Sequence, residues 1–180
     1  MANPSPKSKS EPPSSSPRPP AGVLAPILAP SGVAFFARDP EAARAVWSRK
    51  TGYPGDPAYR EFYRDVGFDL PEDALLGDLG PNGTRLMTGL KLHRITGHGE
   101  DKQPYDPDAA DARAREHALD FVKGREAVAR ESPLADPIQI APFDAELFGH
   151  WWFEGPDFLA DTYRSLRAHP GVHPATGSMH

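Results

Sequence analysis

Six residues with chemical potential fall within eleven positions: Asp144, Glu146, His150, Trp151, Trp152 and Glu154. A short apolar run, Ile138 to Phe143, precedes them and has the character of a buried strand. In α/β proteins, acids and aromatics just past a strand's C-terminal end are where a site usually sits. Carbohydrate chemistry suits this set. Cleaving a glycosidic bond needs a carboxylic acid to protonate the leaving oxygen. It also needs a second carboxylate to stabilise or trap the oxocarbenium-like centre. Sugar rings present flat C–H faces, and an indole offers a matching apolar surface beside hydrogen-bonding acids and imidazole. Asp144 supplies one acid, and Trp151 and Trp152 supply platforms. The competing reading is a buried tryptophan pair with Asp144 capping the next turn.

Other chemistries are poorly served. Seven histidines are present, but no His-x-x-x-His or His-Glu-x-x-His pattern occurs, so no metal is expected. His93 and His98 stand five apart across a glycine, and His150 stands alone. Gly-x-Ser-x-Gly does not occur, nor does a Gly-x-Gly-x-x-Gly or phosphate-loop pattern. No cofactor is implied. With no cysteine, disulfides and thiolate metal sites are excluded. A net charge of -5 argues against a nucleic-acid partner. No apolar run reaches the roughly 20 residues of a membrane span, and no signal-peptide core is visible, so a cytoplasmic protein is expected.

The 180 residues suffice for one domain of ordinary size. Seven of the 22 prolines lie in residues 1–20, a Pro/Ser/Lys stretch expected to be a disordered tail. Val33 to Ala37 reads as a buried strand. Asp39-Pro40-Glu41 then starts a helix: Asp caps, Pro takes the first turn, and Glu faces the positive end of the dipole. Ala42, Ala45 and Val46 would be its buried side. Asp56-Pro57 repeats that signal, with Tyr59, Phe62, Tyr63 and Val66 following at helical spacing as a core stripe. Residues 67–83 read as irregular, Leu86 to Ile95 as a strand or extended arm, and Thr96 to Tyr105 as a polar loop. Asp106-Pro107 opens the longest periodic segment, a helix over 107–131 with Ala110, Ala114, Ala118, Phe121, Val122, Arg125 and Val128 on one face. Gly155-Pro156-Asp157 opens a last helix, with Phe158, Leu159, Tyr163 and Leu166 together. The alternation predicts an α/β fold with a parallel sheet. Three or four plausible strands leave that sheet incomplete beneath its covering helices.

Several stretches resemble the α-1,4-glucan branching enzymes of glycoside hydrolase family 57. The segment Ala141-Pro-Phe-Asp-Ala-Glu-Leu-Phe-Gly-His-Trp-Trp-Phe-Glu-Gly-Pro156 is similar to that family's fourth conserved region. Also similar are Gly32-Val-Ala-Phe-Phe-Ala-Arg-Asp-Pro-Glu41, Val46-Trp-Ser48, Gly52-Tyr-Pro-Gly-Asp56, Tyr59-Arg-Glu-Phe-Tyr-Arg-Asp65, and Thr88-Gly-Leu-Lys with His93-Arg-Ile-Thr-Gly97. Agreement runs in order from about residue 21 to 167.

The resemblance implies a distorted (β/α)7 barrel, present here in part over 21–168, with a loose tail over 169–180. It implies a retaining transglycosylase that cuts an α-1,4 glucan and transfers the fragment to a 6-hydroxyl. Asp144 would be the acid/base, and His150, Trp151 and Trp152 would contact sugar. The family's glutamate nucleophile has no counterpart in a comparable motif, since the upstream tail offers only Glu11. The chain is therefore expected to be a fragment, inactive alone, with an α-glucan as ligand and a complementing N-terminal half as partner. Glu146 and Glu154 are expected to orient or solvate the loop rather than replace the nucleophile. The alternatives are a non-catalytic glucan-binding or assembly remnant, and a related α-amylase or 4-α-glucanotransferase.

Overall fold

The computed structural model describes residues 22–75, 77, 79–97 and 101–176. The expected tail over 1–20 lies outside them, as do Glu11, His98 and residues 177–180.

Helix α3, Pro107–Glu131, is the spine. Asp106 accepts the N–H groups of Asp108 and Ala109, each at 3.1 Å, and Pro107 occupies the first turn, where its missing N–H costs nothing. Ala110, Ala114 and Ala118 recur every fourth residue and are fully buried. Their small side chains let a second helix approach closely. That helix is α4, Gly155–Ala168, which packs along α3 with Phe158 buried between them. Tyr163, expected on the same face, points outward. Helix α1, Pro40–Trp47, also contacts α3. Its cap, Asp39, accepts from the N–H groups of Glu41 and Ala42 at 2.9 and 3.0 Å, and also from the guanidinium of Arg125 on α3. Ala42, Ala43 and Val46 are its buried side, with Ala45 only half-buried.

Strand content is small. Strands β1, Ile27–Leu28, and β2, Ala34–Phe35, form an antiparallel pair in the register Ile27 to Phe35 and Leu28 to Ala34. The expected parallel sheet is represented among the described residues by a single bridge between distant segments, Arg38 to Ile140, where the Asp39 N–H donates to the Ile140 carbonyl at 2.7 Å; the other parallel bridge, Phe148 to Trp152, is local to a turn. Ile138 turns instead to Leu24, donating to its carbonyl at 2.9 Å, so the 138–143 run stays extended and half-buried.

The helix expected after Asp56-Pro57 does not form. Asp56 does accept the Ala58 N–H at 2.9 Å, as a cap would. The donors that follow are drawn elsewhere: Arg60 to Glu154, Glu61 to the His93 carbonyl, and Val66 to the Leu90 carbonyl. With those N–H groups committed to distant acceptors, no i to i−4 ladder can start. Only the single turn α2, Val66–Asp69, is helical. Residues 86–95 are the extended arm, running between the 59–66 segment and residues 103–105. Pro104 carries no N–H, so the pairing there stays at isolated bridges.

The core joins these pieces through aromatic rings. Tyr59, Trp152, Phe158 and Phe121 are buried in succession, with centroids 5.4 Å (Tyr59 to Trp152), 4.9 Å (Trp152 to Phe158) and 5.8 Å (Phe158 to Phe121) apart.

Candidate functional site

Residues 144–155 form a tight double turn between the extended 138–143 run and α4. A 3-10 turn spans Ala145–Leu147. The Trp152 N–H then donates back to the Leu147 carbonyl at 2.8 Å, and Gly149 donates to the Trp152 carbonyl at 2.8 Å. Gly149 has φ of +90°, a conformation that strains a residue carrying Cβ. At Gly155, a Cβ would stand 2.8 Å from the Phe148 ring, so the helix start fits only because that position is bare.

This turn sorts its side chains alternately. Phe143 packs inward against Phe121 and Phe148. Asp144 projects to the surface, and its carboxylate makes no cap hydrogen bond. Trp151 is 49% exposed, Trp152 2%, Phe153 is exposed again, and Glu154 is buried.

Trp152, expected to contact sugar, is buried in the core. Its ring is enclosed by Tyr59, Phe148 and Phe158, leaving no face a ligand could reach. Its indole nitrogen is buried with no hydrogen-bond partner among the described residues.

Trp151 and His150 stay at the surface, and two residues far from them in character join the cluster. The Phe62 ring lies against Trp151 with centroids 4.5 Å apart and planes 32° apart. His150 stands edge-on to both rings, at 5.4 Å from Phe62 and 5.1 Å from Trp151. The Trp151 indole nitrogen donates to Glu146 Oε1 at 3.2 Å, and His150 Nε2 lies 3.9 Å from the same oxygen. The Lys91 ammonium sits 5.1 Å from the Phe62 centroid. Sequence spacing assigned Phe62 to a helical core stripe, and nothing local connects it to Trp151. The 59–66 segment brings it there by bonding to the arm and to Glu154.

Beneath the loop, Glu154 accepts the Tyr105 hydroxyl at 2.8 Å and the Arg60 N–H at 3.0 Å. Burial pushes its carboxyl above the usual range, while those two donors pull it back in part. The Arg60 guanidinium lies over Phe153, 3.5 Å from the ring centroid. Glu154 thus ties three segments together from below and faces away from solvent. Among the described residues, no group of three His, Asp or Glu side chains could hold a metal ion.

The outcome is a surface carboxylate, Asp144, on the same turn as a half-exposed indole whose other side is supported. No protein-family profile matches the chain. Individual relatives do. A probable 1,4-alpha-glucan branching enzyme of Mycobacterium tuberculosis is 40% identical over 157 residues, which is 82% of this chain and 25% of the relative. A 1,4-alpha-glucan branching enzyme of Thermococcus kodakarensis is 42% identical over 136 residues, 72% of this chain and 17% of the relative. The crystal structure of a GH57-type branching enzyme from Pyrococcus horikoshii superposes with a TM-score of 0.67 at 34% identity, covering 88% of this chain and 27% of that one.

Over most of its own length the chain resembles the branching enzymes of glycoside hydrolase family 57. A further solved structure, the alpha-amylase AmyC from Thermotoga maritima, matches with a TM-score of 0.81 at 47% identity, over 88% of this chain and 32% of that one. The chain spans 17% to 25% of the length of the curated relatives it matches.

Proposed function

We propose that this chain is the acid/base-bearing segment of a family 57 enzyme acting on α-1,4 glucans, of the 1,4-α-glucan branching type. The observation that carries it is the double turn, which exposes Asp144 beside a supported indole, in a chain 40% identical to a branching enzyme. Residues 21–168 are the catalytic-domain portion in this reading. The portion belongs to a distorted (β/α)7 barrel. The parallel bridge from Arg38 to Ile140, on either side of α1 and α3, supports that topology.

The chemistry assigned to Asp144 is retaining transglycosylation. As an acid it protonates the glycosidic oxygen of the bond being cut. As a carboxylate it then accepts the proton of the incoming 6-hydroxyl. Trp151 and His150 hold the donor sugar. Double displacement needs a nucleophilic carboxylate about 5 Å from the acid, across the anomeric carbon. Glu146 shares the Asp144 turn and is bonded to Trp151, and Glu154 is buried, so neither faces Asp144 from across a sugar. The nucleophile therefore comes from a complementing N-terminal half. The exposed apolar side chains of Ile27, Leu28, Val33, Phe35 and Phe36 support a polypeptide docking there.

Iodine staining of amylose tests this reading. The purified chain alone should leave the spectrum unchanged, and a clear shift would refute its dependence on a second carboxylate. Co-expression with the N-terminal part of a family 57 relative should restore turnover. Trp151→Ala should lose retention on an amylose column, and equal retention would remove Trp151 from the sugar site. A hydrolytic α-amylase or 4-α-glucanotransferase specificity is the second reading, favoured by the 47% identity to the Thermotoga amylase. Reducing-end assay of the complemented enzyme identifies hydrolysis, which alone accumulates reducing ends, and treatment of the product with a debranching enzyme separates branching from 4-α-glucanotransfer, because only branching makes α-1,6 links.

A further inference from the structure

We infer that Glu146 and Phe62 are positioning residues for Trp151: they hold its indole in one pose so that its open face receives a glucan ring. This rests on the reading of Trp151 as a sugar platform and names the groups that make it one.

A tryptophan that is half exposed is ordinarily free to rotate about two side-chain torsions. Stacking a sugar on it then costs the entropy of fixing those torsions. Here three contacts fix them beforehand. The Phe62 ring backs the indole at 4.5 Å, and Trp151 remains 49% exposed. The Glu146 carboxylate takes the indole N–H at 3.2 Å, which sets the rotation of the ring in its own plane. The His150 ring stands nearly perpendicular to the indole, with centroids 5.1 Å apart. Glu146 is itself anchored, because it sits in the 3-10 turn Ala145–Leu147, whose Leu147 is buried in the core. The Trp151 N–H also approaches the Glu146 carbonyl, at 3.5 Å. A binding surface gains affinity when its contact groups are held by supporting residues before the ligand arrives.

The arrangement also accounts for the second acid of the turn. Asp144 and Glu146 are both on the surface, two residues apart, yet their surroundings differ. Glu146 is engaged by the indole and faces the imidazole, whereas Asp144 makes no cap hydrogen bond. One carboxylate is left for proton transfer, and the other is committed to orientation.

The experiment is calorimetric titration of the full 180-residue chain with maltoheptaose, paired with near-ultraviolet circular dichroism of the unliganded chain. Trp151→Phe defines the part of the dichroism spectrum that belongs to this indole. Glu146→Ala and Phe62→Leu are expected to diminish that part and to weaken maltoheptaose binding about threefold to tenfold. Phe62→Leu keeps apolar volume while removing the flat ring. Glu146→Gln retains an acceptor oxygen and is expected to stay within about twofold of wild type. If Trp151→Ala abolishes binding while Glu146→Ala and Phe62→Leu leave both readouts unchanged, the positioning role is overturned and the platform stands. Glu146→Gln as weak as Glu146→Ala also overturns it, since the acceptor would then not be the working group. A wild-type chain that gives no heat with maltoheptaose, or Trp151→Ala binding as wild type, removes the platform and this inference with it.

Discussion

Glu154 accepts the Tyr105 hydroxyl at 2.8 Å through the same oxygen that takes the Arg60 N–H, while its second oxygen is buried with no hydrogen-bond partner among the described residues. Such a carboxylate joins three segments at the cost of its own desolvation. Burial raises its pKa, so between pH 4.5 and its folded value the folded chain binds more protons than the unfolded one. Stability therefore falls as pH rises through that window, and the loss persists above it. Glu154→Gln keeps the accepting oxygen and removes the charge. Urea unfolding at pH 7 should show the variant more resistant than wild type, with a flatter pH dependence above 4.5.

His117 gives the opposite slope. Its Nδ1 meets the Tyr59 hydroxyl at 2.7 Å, its ring stacks on Tyr53, and Asp56 lies 3.6 Å from Nε2. Burial lowers its pKa, with Arg113 adding to that, and Asp56, Asp120 and Glu116 opposing it. The unfolded chain then binds more protons below pH 6.5, and stability declines as pH falls from there to the folded value. His117→Gln should remove this decline from a series of thermal melts at about pH 5 to 7.

Asp65 is the strongest single tie in the arm. Fully buried, it accepts the N–H groups of Gly67, Thr88 and Gly89 and the Thr88 hydroxyl, each within 2.9 Å, and pairs with Lys91 at 3.4 Å. Burial alone would raise its pKa, but these donors outweigh it and hold the carboxyl well below the usual range. Its contribution is present above pH 3.8 and fades as pH falls below that value. Asp65→Ala should cost about 3–5 kcal/mol in denaturant unfolding, because it leaves a buried ammonium and several N–H groups without an acceptor.

Gly149→Ala tests the double turn. At φ of +90° an added methyl is strained, at about 1–2 kcal/mol, and the Pro156 ring stands 3.4 Å from the new carbon. The Trp151 band in near-ultraviolet dichroism should change along with stability, since Gly149 closes the turn that carries the indole.

Asp144→Asn should do the reverse. An exposed carboxylate without a cap hydrogen bond contributes little to the fold, so unfolding should shift by no more than about 0.5 kcal/mol. In a complemented enzyme the same change should abolish glucan cleavage. A stability loss comparable to that of Asp65→Ala would mark Asp144 as structural.

Where local chemistry decides the backbone, sequence was sufficient. Asp39-Pro40 and Asp106-Pro107 carry their caps in the side chain next to the helix they start, and both helices begin where those signals stand. The alanine spacing of α3 marks its buried stripe because period and small size are both local properties. Asp56-Pro57 carries the same signal and fails, because Glu154, His93 and Leu90 take the donors a helix would need. No window around residue 60 contains those acceptors.

The same division runs through the site. Residue types alone placed an acid, an imidazole and an indole pair in eleven positions and pointed to sugar chemistry. They could not separate Trp151 from Trp152, since adjacent residues in a turn have no fixed period to sort them. Tertiary structure decides that by seating Trp152 between Tyr59 and Phe158 and leaving Trp151 outside on Phe62. A side chain's burial depends on what distant segments bring against it: Tyr59 and Phe62 arrive from the 59–66 segment and Phe158 from α4.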